Sequence, residues 1–154
     1  MDIRLDSGSP RDTAALGKKV GELLMGGEVI TLSGILGAGK TAFAQGIGAG
    51  LGIPEGEIVS PTFILRAEHR SGRIPLAHVD LYRIEDQDEI IKSGLFEQED
   101  SDMILLVEWP EKGIQVLPPD RLDISLEILQ DQTRGIRIRT AGRERPDFRD
   151  HFNI

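Results

Sequence analysis

The pattern of apolar and polar residues at the start of the chain predicts a helix, a strand and a second helix. Ser9 and Pro10 are typical of a helix start, because a serine side chain caps free N–H groups and proline fits the first helical turn. Apolar residues then recur at helical spacing as far as a pair of glycines, which end the helix. The apolar stretch "EVITL" predicts a strand, and a glycine-rich turn leads from it into a helix from about Lys40 to Leu51.

Three glycines lie inside the second predicted helix, at positions 46, 48 and 50. Each of them weakens an isolated helix by roughly 1 kcal/mol relative to alanine. This helix is therefore expected to be held by close packing or by neighbouring structure.

After Ile58 the pattern changes from helices to strands. Strands are predicted over "VSPTFILRAEH" and "IPLAHVD", and a short helix is predicted over Glu85 to Ser93. The next segment, "MILLVEW", is apolar on both faces, which is typical of an interior strand. Near the end of the chain, apolar residues alternate with polar ones in two runs, and this alternation predicts an antiparallel hairpin with one face in water.

The order of these elements predicts an α/β fold with three layers, a mixed, largely parallel sheet and a C-terminal antiparallel hairpin. A chain of 154 residues has the length of one ordinary domain. No repeat or low-complexity linker divides it, so residues 1–154 are assigned to a single domain. The last residues, from about 143, are a candidate for a flexible tail.

Composition and charge narrow the class of protein. The net charge of −8 argues against a protein that binds nucleic acid on its own, because contact with phosphates needs positive charge. No apolar run approaches the roughly 20 residues of a membrane span, and the charged first residues do not resemble a signal peptide, so a cytoplasmic protein is expected. The six arginines between Arg134 and Arg149 are interpreted as a solvated edge strand and tail.

The segment "GILGAGKT", from Gly34 to Thr41, fits the phosphate-loop pattern G-x-x-x-x-G-K-[ST]. Its glycines let backbone N–H groups turn towards phosphates, Lys40 meets the β- and γ-phosphates, and the Thr41 hydroxyl is a magnesium ligand. A strand before the segment and a helix after it match the context that the motif requires. The sequence therefore predicts the P-loop NTPase fold. The residues expected to bind the nucleotide in this segment are Gly34, Leu36, Gly37, Ala38, Gly39, Lys40, Thr41 and Ala42.

Two acidic residues, Asp80 and Glu108, each end a predicted strand. A P-loop protein needs such an acid to hold magnesium through its carboxylate or through water. Glu108 is the better candidate for magnesium, because its strand is the more apolar, and Asp80 is then a candidate for orienting the attacking water. The sequence does not separate the two roles.

Polar and aromatic residues near these acids allow more than one interpretation. "SPTF" is either a proline turn before a strand or a loop in which Thr62 senses the γ-phosphate or the metal. Trp109 follows Glu108 and is interpreted as a packing residue close to the site. The three histidines lack metal-site spacing and are interpreted as ordinary.

Taken in order, "GILGAGKT", "SPTF", "HVDLYR" and "VEWPEKG" resemble the TsaE family, the P-loop ATPases of bacterial tRNA threonylcarbamoyladenosine biosynthesis. The resemblance implies a protein that binds ATP and Mg²⁺ and hydrolyses ATP. Because no arginine is clearly placed to stabilise the γ-phosphoryl charge, hydrolysis is expected to be slow alone and faster with the partners. The resemblance implies TsaD and TsaB as those partners in modifying the adenosine beside the anticodon of tRNAs that read codons starting with A. The tRNA is expected to reach this protein through the complex rather than directly.

Matching positions carry the functional residues of the family onto this chain. The resemblance implies catalytic roles for Lys40, Thr62, Asp80 and Glu108. It implies magnesium ligation by Thr41 and Glu108, and further contacts near the nucleotide from Pro10, Trp109 and Arg134. The chain departs from the family at Ile35, where an aspartate is common, and at Thr133, where a glycine usually precedes the arginine.

Three other functions remain open at this point. A small-molecule P-loop kinase would need an acceptor pocket and an arginine-bearing lid, and no insertion of that kind is present between Glu55 and Glu108. A GTPase would need N-K-x-D to read guanine, and the single asparagine of the chain is Asn153. The third possibility is a nucleotide-dependent binding module with negligible turnover, because no arginine is clearly placed to stabilise the γ-phosphoryl charge.

Overall fold

Strands and helices alternate along the chain, whose residues 1–153 are described by a computed structural model. The elements are β1 (Asp2–Ser7), α1 (Pro10–Leu23), β2 (Val29–Ser33), α2 (Lys40–Gly50), β3 (Arg66–His69), β4 (Leu76–Asp80), α3 (Gln87–Lys92), β5 (Ile104–Glu108), a 3₁₀ turn (Pro110–Lys112), β6 (Arg121–Ile128), β7 (Arg134–Ala141) and α4 (Pro146–His151). Helix α1 begins as predicted, because the Ser9 hydroxyl accepts a hydrogen bond from the Asp12 N–H at 3.1 Å.

A single mixed sheet contains all these strands, in the order β1-β7-β6-β2-β5-β4-β3. The central pairs, β6 with β2, β2 with β5 and β5 with β4, are parallel. Antiparallel pairs add β7 and β1 on one side and β3 on the other, so five of the seven strands run in the same direction. The predicted α/β fold with a mixed, largely parallel sheet is confirmed. Strand β5 is the interior neighbour of β2, as its apolar sequence indicates.

The carboxyl ends of β2, β5 and β4 lie at the same edge of the sheet. In the strand register Leu32 is opposite Glu108, and Glu108 is opposite Asp80. The chain that leaves β2 enters the loop of residues 34–39, which leads directly into α2. Ligands of open α/β sheets bind beyond the carboxyl ends of the strands. The fold therefore brings the glycine-rich loop and both acids to one place.

Helices cover both faces of the sheet and give three layers. Helices α1, α2 and α4 lie on one face, where Val20, Phe43 and Phe148 belong to the larger apolar core. Helix α3 lies on the other face, where Ile90 packs with Leu105 in a second core. Both cores are built on the same sheet.

Glycines allow α1 and α2 to pack with their backbones in close contact. A Cβ atom on Gly46 would overlap the carbonyl oxygen of Ala14, and a Cβ atom on Gly17 would overlap the carbonyl oxygen of Phe43. The glycines that weaken α2 as an isolated helix are thus the residues that let α1 approach it. The expected close packing of this helix is confirmed.

The predicted strand over "VSPTFILRAEH" is wrong in its first part. Only Arg66–His69 pair with β4. Residues 61–65 form a turn instead, in which the Leu65 N–H donates to the Pro61 carbonyl at 2.7 Å. Leu65 has a φ of 67°, outside the range of a strand, and Pro61 has no N–H to donate to a neighbouring strand.

The two ends of the described chain add structure that the sequence pattern did not predict. Strand β1 pairs along the whole of β7, so the arginine-rich β7 lies inside the sheet rather than at its edge. After residue 143, where a tail was considered, α4 forms instead and buries Phe148 completely in the larger core. None of the helices within residues 1–153 has the length and apolarity needed to span a membrane.

Substituting Gly46 with alanine is expected to destabilise the protein, although alanine favours a helix by roughly 1 kcal/mol over glycine. The new Cβ would force the α1 and α2 backbones apart, and overpacking of this kind costs about 1–3 kcal/mol. Urea unfolding measures the free energy of unfolding. Ala49→Gly, at an exposed position of the same helix, reports helix propensity alone. A Gly46→Ala protein more stable than the unmodified one would contradict the close contact.

Candidate nucleotide-binding site

The glycine-rich loop wraps over the start of α2. Gly37 and Gly39 have φ angles of 83° and 106°, in the left-handed region that glycine adopts most readily. The Ala38 N–H donates to the Ile35 carbonyl at 3.1 Å, and the Ala38 side chain is fully buried. The loop is therefore anchored at Ala38. The side chains of Ile35 and Leu36 are exposed.

The N-terminus of α2 faces this loop without a side-chain cap among the described residues. The first N–H groups of a helix have no partner inside the helix, and the helix dipole adds partial positive charge there. A phosphate group satisfies both conditions. The loop and the start of the helix therefore fit a phosphate-bearing ligand. Thr41 is exposed at the second position of α2, where its hydroxyl is accessible to such a ligand.

Lys40 lies between the loop and the carboxyl edge of the sheet. Its side chain is buried, its Nζ donates to the Gly34 carbonyl at 2.5 Å, and the same nitrogen lies 3.6 Å from the centroid of the Trp109 ring. Burial lowers the pKa of Lys40, and the negative charges of Glu108 and Asp80 partly offset that effect. The amine is thus held at the site by a carbonyl and an aromatic face, and the charges of the two carboxylates favour its protonated form.

Trp109 contributes an aromatic wall to the site. Its backbone is left-handed, with φ 56° and ψ 50°, which is uncommon for a bulky residue. The indole ring packs against Tyr82, with ring centroids 4.9 Å apart, as well as against Lys40. Trp109 is therefore both a packing residue and a neighbour of the phosphate-loop lysine.

The Asp80 carboxylate is buried and accepts three hydrogen bonds. Its Oδ2 accepts from Ser60 Oγ at 2.8 Å and from Thr62 Oγ1 at 2.9 Å. Its Oδ1 accepts from the backbone N–H of Tyr82 at 2.8 Å. Asp80 therefore fixes the "SPTF" loop to the end of β4 through both hydroxyls. The sequence pointed to Thr62 alone, although Ser60 lies two residues before it and makes the same contact.

Glu108 is buried at the end of β5 and is bonded to a histidine that the sequence analysis interpreted as ordinary. His78 Nε2 lies 2.7 Å from Glu108 Oε2, and both side chains are almost fully buried. His78 precedes Asp80 by two residues on β4, so the two side chains lie on the same face of the strand. That spacing was the available signal for placing His78 at this edge of the sheet.

The outer residues of the site differ in how closely they approach the loop. Arg134 Nη2 donates to the Gly37 carbonyl at 3.3 Å, which brings the start of β7 to the loop. Pro10 is exposed at the first position of α1. The α1 residue beside the loop is Thr13, whose Cγ2 would lie 3.5 Å from a Cβ atom on Gly39. No sequence pattern pointed to Thr13.

Comparison with known proteins gives the family. Residues 7–136 match the profile of a family described as "Threonylcarbamoyl adenosine biosynthesis protein TsaE". The chain belongs to the TsaE family. The resemblance seen in the ordered motifs is thereby confirmed.

Relatives from several bacteria carry the same name, "tRNA threonylcarbamoyladenosine biosynthesis protein TsaE". The protein of Treponema pallidum is 41% identical over 136 residues, which cover 88% of this chain and 99% of the relative. The protein of Bacillus subtilis is 39% identical over 134 residues, covering 87% and 83% of the two chains. The crystal structure of YdiB from Bacillus subtilis superposes with a TM-score of 0.77 at 32% identity, covering 99% of this chain and 93% of that one.

Membership of the TsaE family places the predicted residues in a P-loop protein. The structure brings together Lys40, Trp109 and the two acids, and it joins Thr62 to them through Asp80. Pro10 lies at the start of the helix whose Thr13 adjoins the loop. The arrangement has the parts of a nucleotide site: backbone N–H groups and an amine for phosphates, and carboxylates for a cation or a water.

Replacing Asp80 with alanine is expected to release the "SPTF" loop. The variant loses the acceptor of both hydroxyls, and a hydrogen bond to a charged group is worth about 1.5–3 kcal/mol. Hydrogen exchange at the Leu65 N–H, which closes the turn, is therefore expected to be roughly tenfold faster or more. Unchanged exchange in the hairpin of β6 and β7 serves as the control for global stability. Leu65 exchange at the original rate in a folded variant would show that Asp80 does not hold the loop.

Proposed function

We propose that this protein is a Mg²⁺-dependent ATPase that serves the formation of threonylcarbamoyladenosine in tRNA, together with TsaD and TsaB. The observation that carries the proposal is the position of Lys40, held at the phosphate loop with Glu108 and Asp80 beside it. The names of the relatives in this family supply the pathway. Family membership favours this function over the kinase and GTPase alternatives.

The chain binds the triphosphate through the loop and α2. Backbone N–H groups of the loop and the first turn of α2 contact phosphate oxygens, and Lys40 moves from the Gly34 carbonyl to the β- and γ-phosphates. Burial makes this amine easier to desolvate than an exposed lysine. The Trp109 ring limits the positions that it takes.

Thr41 and Glu108 would hold the magnesium ion of the nucleotide, by direct contact or through water. Hydroxyl and carboxylate oxygens are the ligands that Mg²⁺ prefers in proteins. Magnesium, when bound, neutralises charge that develops on the phosphate oxygens during transfer to water.

Asp80 and Thr62 act as a hydrogen-bonded pair at the carboxyl end of β4. Because the single Thr62 hydroxyl hydrogen is donated to Asp80 in the structure, Thr62 has to leave that carboxylate in order to donate to the γ-phosphate. The same step frees one acceptor position on Asp80 Oδ2, which still accepts from Ser60, for a hydrogen bond from the attacking water. Loop movement and activation of the water are thereby coupled.

The intrinsic rate is slow and rises with the partners. Arg134, the arginine that contacts the phosphate loop, is bonded to the Gln132 and Gly37 carbonyls. A partner that supplies a charge-stabilising group, or that redirects Arg134, therefore raises turnover. Measuring ATP turnover with and without TsaD and TsaB tests this point. Equal turnover rates with and without TsaD and TsaB would contradict activation by the partners. Negligible turnover in both conditions would favour the binding-module alternative.

Adding ATP is expected to change the fluorescence of Trp109, the single tryptophan of the chain. The reason is that Lys40 leaves the indole ring, from which it lies 3.6 Å in the structure, when it contacts phosphates. Adenosine, which has no phosphates, is the control and is expected to leave the emission unchanged. An unchanged spectrum at a concentration of ATP shown by calorimetry to saturate the protein would contradict the proposed movement of Lys40.

Replacing Lys40 with alanine is expected to lower tRNA modification in a reconstituted system by about 100-fold or more, as for loss of one strong donor to a transition state. The assay combines purified TsaD, TsaB, tRNA, the threonylcarbamoyl donor and this protein, with ATP and GTP tested in parallel. Lys92→Ala, an exposed lysine at the end of α3, is the matched control. Full modification with the Lys40→Ala protein would falsify the need for the phosphate site. Equal support by GTP would argue against adenine selectivity.

A further inference from the structure

His78 is a buried polar residue to which the proposed function gives no role. It lies in the middle of strand β4, between β5 and β3, and its side chain is 1% exposed. Its Nε2 is 2.7 Å from Glu108 Oε2, and its Nδ1 is buried without a hydrogen-bond partner among residues 1–153. The bond to Glu108 is therefore the polar contact that orients the imidazole ring within the described structure.

The pairing occupies Nε2 of His78 and Oε2 of Glu108. As the proposed magnesium-side acid, Glu108 is an ionised carboxylate, which only accepts hydrogen bonds, so Nε2 is the donor. Glu108 is 3% exposed, and a buried carboxylate needs such a donor to offset the loss of water. The histidine uses Oε2, which leaves Oε1 available to a ligand.

We propose that His78 is a positioning residue for Glu108. It holds the carboxylate in the orientation in which Oε1 would coordinate magnesium or accept a hydrogen bond from one of its water ligands. The proposal rests on the proposed function, since it takes Glu108 as the magnesium-side acid. Side chains that hydrogen-bond to metal ligands orient them, and their loss typically lowers metal affinity or activity by 10–100-fold. His78 does not itself touch nucleotide or metal.

A purely structural role for the same pair predicts a different result. If the hydrogen bond only stabilises the fold, its loss affects nucleotide binding equally whether or not magnesium is present. If His78 orients Glu108 for magnesium, its loss affects only the part of the affinity that magnesium adds. The ratio of two affinities therefore separates the two roles.

The experiment measures the dissociation constant of adenosine 5′-(β,γ-imido)triphosphate by calorimetry, once with Mg²⁺ and once with EDTA. Four proteins are compared: the unmodified chain, His78→Leu, His78→Asn and His78→Gln. Leucine removes the donor, asparagine is too short to place its amide where Nε2 lies, and glutamine reaches that position. We expect the gain in affinity from Mg²⁺ to fall roughly tenfold or more in the leucine and asparagine variants and to be retained with glutamine. Affinity in EDTA is expected to stay the same in all four.

The proposal is overturned if the leucine and asparagine variants keep the full gain from Mg²⁺, or if they bind more weakly by the same factor in EDTA. If His78→Leu does not fold, the comparison of asparagine with glutamine decides alone.

Combining His78→Asn with Glu108→Gln is expected to cause no further loss of the Mg²⁺-dependent affinity beyond that of Glu108→Gln, because His78 acts through that carboxylate. An additional loss in the double variant would also overturn the proposal. If Mg²⁺ does not raise the nucleotide affinity of the unmodified protein, the proposed function fails together with this inference. If Mg²⁺ raises the affinity of the unmodified protein and of all the His78 variants equally, only this inference fails.

Discussion

The parallel pairing of β2, β5 and β4 is the constraint on which the site depends. Because the three strands run in the same direction and in register, Leu32, Glu108 and Asp80 end side by side. The phosphate loop begins immediately beyond this line, so the charges of both carboxylates act on its lysine. A shift of one residue in either strand pair would turn one acid to the opposite face of the sheet.

The two acids at that edge differ in their hydrogen-bond partners. Asp80 is bonded to hydroxyls of a surface loop, which exchange partners at low cost because they also donate well to phosphate or water. Glu108 is bonded to a buried imidazole on a neighbouring strand, which holds it in place. Asp80 is therefore attached to a surface loop, and Glu108 is attached to an interior strand.

Much of the fold and the centre of the site were predictable from the sequence, because local signals specify them. These signals are patterns of adjacent residues. They are a phosphate-loop motif between an apolar strand and a helix, and an acid at the end of each of two further strands. Features that depend on distant pairing were not predictable. Strand β1 alternates apolar and polar residues around Ile3 and Leu5, but its pairing with β7 at the far end of the chain is not part of that local pattern. The bonds of His78 and Ser60 likewise join residues 20 to 30 positions apart. The prediction of a strand through Pro61 was wrong because apolar residues after the proline suggested a strand where a turn forms.

The backbone contact between α1 and α2 determines how sequence changes far from the ligand would affect nucleotide binding. Gly17 and Gly46 lie in the helix pair that carries the loop, and α2 begins at the lysine that meets the phosphates. A side chain added at either glycine displaces α2 relative to the sheet and therefore displaces Lys40 relative to Glu108. Natural variants at these buried glycines would then resemble defects of the phosphate site in an activity screen, although neither residue is among those proposed to contact the nucleotide.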